Sequence, residues 1–433
     1  MSRGIPNRLV VREFERIRIG DCWDPAEKTI SSRQASQLEL YQQGTSRKLF
    51  DIHHTSIKAR NWVGSIGIGK YCIDVVPKID SAGQDLDENL CMANLMHMVS
   101  ACGDIPFNEV EAAKLAHTGK PLVLAFMETY INTLAPEWRK GQIRDYVAIE
   151  ENRPYLKGKL LFSEQFRRNL IHRERLFTRS DEFICDNRYT RLLKAALRLC
   201  SEQLVSDRVA RKAKSLLPEF DEVEDVSYYS NDIPTIKVDR RFARFDKLLH
   251  LAGMIIGGFS PVASWSRQAV YSLMFDMNQV FEKFIASEFK RSLLGQGYAV
   301  STQMSGRFLL REKGGRPRFL LRPDIGIRRR GEVVLIIDTK WKRLDESIYN
   351  FSISQSDVYQ VYAYGKEYDS PRVILLYPRH GNLPMQLTEY HHNAKSGEKP
   401  KEIAIATVDV SCPLSSATSR RVLREELLSL VLN

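Results

Sequence analysis

The feature that most constrains the fold is a short apolar run that ends in charged residues. Val333 to Ile337 is a continuous aliphatic stretch, and Asp338, Thr339 and Lys340 follow it at once. Such a run is typical of a strand that is buried on both faces. Side chains alternate along a strand, so Asp338 and Lys340 are predicted to point to one side and Thr339 to the other. Two charged groups at the end of a buried strand are costly unless they have a use.

A neighbouring strand is expected to bring a second carboxylate to this place. Gly331 follows Arg328 to Arg330 and predicts a turn. We therefore expect Leu320 to Ile327 to pair antiparallel with the apolar run, which carries Asp324 towards Asp338. Two carboxylates can hold Mg²⁺ through oxygen ligands, and the metal polarises a phosphate and lowers the pKa of a bound water. Lys340 is then expected to orient or help deprotonate that water, and to neutralise charge that develops on the phosphate.

The order of these residues resembles a known nuclease motif. Pro323-Asp324 followed by Asp338-Thr339-Lys340 is similar to the pattern of the PD-(D/E)XK nuclease superfamily. Taken alone, so short a pattern also arises by chance. The resemblance implies a restriction-endonuclease-like mixed sheet flanked by helices, with a metal-dependent phosphodiesterase centre at the end of one strand.

A second motif lies downstream. Gln360 to Tyr364 reads Q-x-x-x-Y, which is similar to the helical motif that follows the D-x-K strand in RecB-type members of the superfamily. In a helix these two residues share one face, and Asp357 lies nearby, one turn before Gln360. The alternative is an amphipathic helix that packs Tyr359, Val361 and Tyr362 on the sheet and leaves Gln360 exposed.

An acidic residue is also expected from the helix that precedes the sheet. Ser272 to Leu294 carries apolar residues near helical spacing, so it predicts a long amphipathic helix. Superfamily members often supply a carboxylate from this position. We select Glu282, which lies beside the apolar stripe, over Asp276 and Glu288. The alternative is that Glu282 is an exposed surface residue.

Further short motifs follow one another along the chain: Gly67-Ile-Gly-Lys70, Ile73 to Ile79, Asn94 to Met98, Gly103 to Phe107, Gly158 to Leu160, Cys185 to Arg188 and Phe275 to Glu282. Their order, followed by Asp338-Thr339-Lys340, resembles McrC, the nuclease subunit of the McrBC modification-dependent restriction system. The resemblance implies that the chain binds McrB, a separate AAA+ GTPase ring, stimulates its GTP hydrolysis and supplies the cutting site. It also implies that the N-terminal β-rich region meets the ring and that the partner recognises the modified DNA.

The predicted site gathers these candidates. The catalytic residues are predicted to be Asp324, Asp338, Lys340, Glu282, Gln360 and Tyr364. The metal ligands are predicted to be Asp324, Asp338, Glu282 and Thr339. Mg²⁺ is the expected ion, with Mn²⁺ as the alternative.

One glycine-rich segment looks like a nucleotide-binding loop and is interpreted otherwise. Gly64 to Lys70 fits G-x-x-x-x-G-K, but Tyr71 follows where Ser or Thr would bind Mg²⁺. Tyr71 to Val76 is strand-like and ends at Pro77, so no helix N-terminus follows to bind a phosphate. We predict a β-hairpin here, and no nucleotide bound by this chain itself.

The charge distribution favours a nucleic-acid partner. The chain of 433 residues has a formal net charge of +11. Basic residues are dense from Gly306 to Arg330, around the predicted metal site, which indicates contact with double-stranded DNA. A second basic stretch, Lys157 to Arg179, is interleaved with phenylalanines. It could track phosphates, or it could be a solvated helix face.

The cysteines and apolar runs indicate the compartment. The seven cysteines are scattered and contain no C-x-x-C pair, so neither a disulfide framework nor a zinc site is predicted. No apolar run approaches the length of a membrane span, and the N-terminus does not resemble a signal peptide. We therefore expect a cytoplasmic protein with no membrane partner.

The overall expectation is an α+β chain in three parts. Residues 1–80 are predicted to be a β-rich N-terminal domain, residues 88–270 a mainly helical middle region, and residues 271–433 the PD-(D/E)XK nuclease domain. The tail after residue 380 contains none of the motifs that carry the resemblance to McrC. Two functions stay open at this stage: a Mg²⁺-dependent endonuclease subunit that cleaves modified, methylcytosine-containing DNA, and a catalytically inactive DNA-binding adaptor that activates a GTPase partner.

Overall fold

The structure, a computed structural model, describes residues 7–45, 47–81, 83–116, 118–203, 206–228, 239–258, 270–391 and 401–432. The strands are β1 Asn7–Arg12, β2 Arg16–Gly20, β3 Thr29–Ser31, β4 Phe50–Ile52, β5 Ser56–Ala59, β6 Trp62–Ile68, β7 Tyr71–Val76, β8 Asp80–Ser81, β9 Gln84–Asp85, β10 Asp145–Arg153, β11 Lys159–Leu160, β12 Leu176–Ile184, β13 Val270–Asp276, β14 Tyr298–Thr302, β15 Arg307–Arg311, β16 Pro317–Leu321, β17 Ile325–Arg329, β18 Glu332–Thr339, β19 Arg372–Pro378, β20 Gln386–His391 and β21 Glu402–Val408. The helices are α1 Ser32–Gln43, α2 Glu88–Ala101, α3 Glu109–Ala116, α4 Leu122–Lys140, α5 Phe162–Arg168, α6 Arg188–Glu202, α7 Asp207–Leu216, α8 Asp246–Gly257, α9 Met277–Ser292, α10 Gln355–Glu367 and α11 Ala417–Leu432.

This mixture of helices and strands confirms the α+β class. The chain forms two compact units, each built from segments that are distant in sequence. Among the described residues, the first unit contains Gly67–Tyr71 and most of Val123–Leu273. The second contains the described parts of Asn7–Ile66, Cys72–Leu122 and Met274–Asn433. The three predicted domain ranges stay a prediction.

The first unit is held together by packed helices beside a small sheet. Its strands hydrogen-bond in the order β10-β12-β11, and α6 contacts both α7 and α8. The Tyr130 hydroxyl on α4 donates to the Leu193 carbonyl on α6 at 2.7 Å. The basic stretch Lys157 to Arg179 folds as β11, the seven-residue α5 and the start of β12. Helix α5 has no buried residue and its Arg167 and Arg168 are exposed, so the alternative of a solvated helix face agrees with this part of the stretch.

The second unit contains a mixed six-stranded sheet that carries the predicted site. The strand order is β14-β17-β18-β19-β21-β20. β18, β19 and β21 run parallel, while β14, β17 and β20 join by antiparallel pairing. Helix α10 crosses between β18 and β19 and packs on them, and α9 contacts β14 and β18. The carboxyl ends of β18 and β19 therefore lie at the same edge of the sheet.

The antiparallel partner of the apolar run is shorter than predicted. Ile325 pairs with Ile337 and Arg329 with Glu332, as expected for the two strands on either side of the Gly331 turn. Gly331 has φ +92°, a left-handed conformation that glycine adopts without steric cost. The predicted strand began at Leu320, and that part is wrong. Leu320 and Leu321 belong to β16, which pairs with β15 in a separate hairpin, and the intervening Pro323 has no N–H to continue a ladder.

The predicted helix from Ser272 to Leu294 also begins too early. Val270 to Asp276 is the strand β13, rich in apolar and aromatic residues, and the helix α9 starts at Met277. The Asp276 carboxylate caps it by accepting from the Asn278 N–H. An aspartate at the N-cap satisfies a backbone donor that the helix leaves free, which fixes the start of α9 at this residue.

The glycine-rich segment is a hairpin, as predicted. β6 and β7 are hydrogen-bonded neighbours, and Gly69 has φ +58° in the turn between them. Apolar residues at helical spacing also predict helices at Leu90 to Val99, Leu122 to Leu134, Arg188 to Leu204, Phe245 to Ile256 and Arg420 to Leu432. These helices are present as α2, α4, α6, α8 and α11, with ends shifted by a few residues. Leu204, the predicted last residue of α6, lies outside the described residues. Across the described ranges, no helix has the length and apolar character that a membrane span requires.

Candidate active site

The charged residues at the end of β18 form a buried ion pair. The Lys340 Nζ lies 2.7 Å from Asp338 Oδ2, as alternation along the strand predicts. Asp338 is only 1% exposed, and the Lys340 side chain is mostly buried. A charge in such surroundings is stable only when another charge or strong hydrogen bonds compensate it. The strand end therefore holds Asp338 and Lys340 as one unit.

Asp324 reaches the same strand end from the segment before β17. Its Oδ2 accepts the Thr339 backbone N–H at 2.8 Å and the Thr339 hydroxyl at 2.9 Å. Thr339 thus faces Asp324, while Asp338 and Lys340 face each other. The structure brings together Asp324, Asp338, Thr339 and Lys340. The Thr339 hydroxyl, a predicted metal ligand, donates its hydrogen bond to Asp324.

Burial sets the protonation behaviour of the two aspartates. Burial raises the pKa of Asp324, and the nearby Glu282 carboxylate raises it further. Burial also raises the pKa of Asp338, and the charge of Asp324 adds to this effect. Burial acts to lower the pKa of Lys340, but the charges of the surrounding aspartates outweigh it and raise that pKa. Lys340 is therefore held as the charged ammonium beside two carboxylates that repel each other.

The three acidic residues considered for the preceding helix have distinct surroundings. Glu282 is half-buried on α9, accepts a hydrogen bond from the Gln303 side chain and lies close enough to Asp324 to raise its pKa. Asp276 caps α9. Glu288 is fully buried and pairs with Arg291 at 3.0 Å and Arg424 at 2.6 Å. The charge of Glu282 acts on Asp324, and Glu282 is half-buried, so its assignment to the site stays a prediction.

The residues of the Q-x-x-x-Y motif form a hydrogen-bonded chain that ends at Lys340. Lys340 Nζ donates to Gln360 Oε1 at 3.0 Å, and Gln360 Nε2 donates to the Tyr364 hydroxyl at 2.7 Å. That hydroxyl donates onward to the Arg322 carbonyl at 3.3 Å. Burial raises the pKa of Tyr364 to about 12, so it stays a neutral donor. This series of hydrogen bonds links the Lys340 side chain to the backbone just before Asp324.

This arrangement excludes the alternative in which Tyr359 and Tyr362 pack on the sheet and Gln360 has no part in the site. Gln360 takes part in the site, whereas Tyr359 and Tyr362 are exposed on α10. Val361 and Tyr364 pack in the core under the sheet. The spacing of Gln360 and Tyr364 predicted their shared face correctly.

The site contains further charged residues to which the sequence assigned no role. Lys342 Nζ lies 2.7 Å from Asp357 Oδ2, and Lys340 Nζ lies 3.9 Å from Asp357 Oδ1. Asp357 thus faces both lysines that follow β18. Its position one turn before Gln360 was the available signal, because residues three apart on a helix are neighbours. The pairing of Lys342 with Asp357 had no signal in the sequence.

The donor set suits a hard divalent cation. In the part of the chain that the structure describes, no group of three or more His, Cys, Asp or Glu side chains is placed to hold a metal ion. Mg²⁺, however, is often bound by one or two carboxylates and keeps several waters. Asp338 is buried and Asp324 is partly buried, both carboxylates have raised pKa values, and a cation would compensate their repulsion. The residues present therefore fit Mg²⁺ with Asp324 and Asp338 as its protein ligands.

Comparison with protein-family models identifies the family of this chain. The family model described as McrBC 5-methylcytosine restriction system component matches residues 57–378, well over half of the chain. No curated protein sequence gives a match. Among solved structures, a chain of the refined half-complex from the tetradecameric assembly of Thermococcus gammatolerans McrB AAA+ hexamers with bound McrC is 18% identical, with a TM-score of 0.67. The match covers 98% of this chain and 100% of that chain, and it shows a shared fold.

A second structural match is partial. A chain of the Thermococcus gammatolerans McrBC complex, determined by cryo-electron microscopy, is 19% identical with a TM-score of 0.47, over 66% of this chain and 88% of that chain. The family model, by contrast, spans the segment from β5 to the end of β19. It therefore includes every residue of the candidate site. The chain belongs to the family of McrBC 5-methylcytosine restriction system components.

Proposed function

We propose that this chain is the McrC-type endonuclease subunit of a McrBC-like restriction system, which hydrolyses phosphodiester bonds of methylcytosine-containing DNA with Mg²⁺. The observation that carries the proposal is the buried Asp338–Lys340 ion pair, held beside Asp324 at the end of β18. A fold does not need two repelling carboxylates, one buried and one partly buried, and a lysine at one strand end. A metal-dependent nuclease does.

The roles follow from the positions of the side chains. Asp324 and Asp338 would hold the ion, which supplies Lewis-acid polarisation of the phosphate and a water of lowered pKa. Lys340 carries a fixed positive charge at this place, because its pKa is raised, so it stabilises the negative charge that develops on the phosphate. This protonated state favours orientation of the attacking water over its deprotonation by Lys340. Gln360 and Tyr364 hold the lysine in position.

The proposed partner is a further step from the family membership of this chain. The structural relative of 18% identity comes from an assembly of McrB AAA+ hexamers with bound McrC. We propose that this chain likewise binds an AAA+ GTPase ring of McrB type and stimulates its GTP hydrolysis. The ring then selects the DNA, and this chain cuts it.

The test separates cleavage from assembly. Asp338→Asn removes one ligand charge while keeping the shape of the side chain. In a complex reconstituted with the McrB-type partner, it is expected to abolish Mg²⁺-dependent cleavage of methylated DNA and to leave GTPase stimulation unchanged. Glu332→Gln is the matched control, because it removes a charge from the exposed start of the same strand. Undiminished cutting by Asp338→Asn would contradict the proposal, and a wild-type complex that stimulates GTP hydrolysis without cutting would favour the adaptor function.

A further inference from the structure

We propose that the β15–β16 hairpin is a DNA-binding arm that lies along the major groove of a duplex next to the candidate active site. The arm spans Arg307 to Leu321. The proposal rests on the proposed nuclease function for the orientation of the DNA, but its own test measures binding alone. The evidence for it comes from the exposure, the charge and the attachment of the hairpin.

The hairpin projects from the unit with apolar side chains in solvent. Its two strands form a separate two-stranded sheet, apart from the six-stranded one. Leu310 is 56% exposed and Phe319 is 68% exposed, and Leu309 and Leu320 are exposed as well. Phe319 also has φ +58°, a strained conformation for a bulky residue. Strain of this kind concentrates at functional sites, so an exposed ring held in this way indicates a binding surface.

The charge of the hairpin identifies its partner as a polyanion. Five cationic residues lie within it: Arg307, Arg311, Lys313, Arg316 and Arg318. Glu312 is the single acidic residue of this stretch, and it pairs with Arg318. All five cationic residues are exposed. A surface of this composition suits phosphates around a groove, with the apolar side chains against sugars and base edges.

The base of the hairpin is attached directly to the candidate site. The Tyr368 hydroxyl donates to the Leu321 carbonyl at 3.0 Å, and the Tyr364 hydroxyl donates to the Arg322 carbonyl. Tyr364 is the residue that receives the hydrogen bond from Gln360, the partner of Lys340. Helix α10 therefore fixes both the lysine and the root of the arm. DNA held by the arm would be held relative to Lys340.

The dimensions agree with a groove-bound ribbon. A strand of five residues is about 17 Å long, and the major groove admits a two-stranded ribbon. Leu321 precedes Asp324 by three residues, so the arm begins within about 10 Å of the site. A duplex whose phosphate lies at Asp324 and Asp338 would thus pass the arm. A second copy of this chain is the competing occupant, and the test includes it.

The experiment compares two double variants of the full chain that remove the same charge. Arg311→Gln with Arg316→Gln alters the arm, whereas Lys48→Gln with Arg421→Gln alters exposed cations of other elements in the same unit. Binding to a short fluorescent duplex is measured by anisotropy in EDTA over a range of salt concentrations. The arm variant is expected to bind roughly tenfold more weakly, with a log–log salt slope that is shallower by about 2. The control variant is expected to keep the wild-type slope.

A third variant tests the apolar side. Phe319→Asn removes the ring, while asparagine tolerates the left-handed conformation, so the fold is expected to keep its stability and the chain to bind the duplex several-fold more weakly. Sedimentation velocity of all variants is expected to match the wild type. Equal binding by the arm and control variants would overturn the proposal. A change in self-association with unchanged DNA binding would overturn it too, because it would assign the surface to a second copy.

The outcomes also separate this proposal from the nuclease function. If the wild-type complex cleaves DNA and the arm variants bind the duplex as the wild type does, only the proposal of a DNA-binding arm is overturned. If the arm variants lose binding and the wild-type complex does not cut DNA, the DNA-binding arm is supported and only the proposed nuclease function is overturned.

Discussion

The Trp341 indole Nε1 donates to both carboxylate oxygens of Glu13, at 2.9 and 3.2 Å. Both residues are buried, and Trp341 directly follows Lys340. The Trp341 ring also packs against Phe281, with 5.2 Å between the ring centroids, and Phe281 precedes Glu282. One buried side chain therefore contacts the residue after β1, and it lies between the segments that carry Lys340 and Glu282.

Trp341→Phe is expected to destabilise the protein. The change removes the indole donor and leaves the Glu13 carboxylate with the Lys78 backbone N–H as its remaining hydrogen-bond donor in the structure. Loss of a partner to a buried acceptor costs about 1–3 kcal/mol of unfolding free energy. Urea unfolding of Glu13→Gln, Trp341→Phe and the double variant measures the coupling. Additive effects of the two changes would show that the hydrogen bond contributes nothing.

Glu13 is expected to make stability depend on pH. Burial raises the pKa of Glu13 to about 7, against an ordinary value of 4.5. The folded protein therefore binds a proton that the unfolded chain has released between these two values, so stability falls as the pH rises through this window. The contribution is ~3 kcal/mol at most. Urea unfolding of wild type and Glu13→Gln at about pH 5 and about pH 8 tests this, with the variant expected to lose less stability on going to the higher pH. Parallel pH profiles of the two proteins would contradict the assignment.

Tyr364→Phe is expected to slow cleavage without weakening DNA binding. The substitution keeps the buried ring but removes the hydroxyl between Gln360 and the Arg322 carbonyl, so Gln360 orients Lys340 less well. A loss of roughly tenfold in single-turnover rate corresponds to about 1.4 kcal/mol of transition-state stabilisation. Tyr359→Phe is the control on the same helix, because Tyr359 is exposed. Equal rates for the two variants would exclude the hydrogen-bonded chain from catalysis.

Glu282→Gln and Glu288→Gln are expected to have opposite effects. Glu282 lies beside Asp324, so Glu282→Gln is expected to lower the cleavage rate and to leave stability nearly unchanged. Glu288 is buried and pairs with Arg291 and Arg424, and removing its charge removes both ion pairs. That variant is expected to lose about 1–3 kcal/mol of stability while its folded fraction still cleaves. Thermal unfolding and single-turnover cleavage of both variants decide the matter, and a reversal of the two effects would make Glu288 the functional acid.

The sequence predicted those parts of the site that depend on local periodicity. Alternation along a strand places Asp338 beside Lys340, and helical spacing places Gln360 beside Tyr364. The Gly331 turn predicted the antiparallel pairing that carries Asp324 to Thr339. In each case residues close together in the sequence determine which side chains meet, so the sequence pattern is sufficient to predict the contact.

The predictions that failed concern where elements begin. Apolar residues of β13 were included in α9, because apolar spacing over so few residues fits a strand or a helix equally well. Leu320 was placed in the sheet, although it belongs to the β15–β16 hairpin. Strand partners are chosen by pairing and packing, and a short apolar segment does not specify them.

The sequence by itself determined the family, the α+β class and the set of acidic and basic residues from which the site is built. The tertiary structure alone decided that Glu288 pairs with Arg291 and Arg424, that Asp357 faces Lys340 and Lys342, and that Trp341 binds Glu13. The physical reason is distance along the chain. Contacts within a strand or a helix follow from fixed periods of the backbone, whereas a contact between residues far apart in sequence depends on how whole elements pack, and no local pattern encodes that packing.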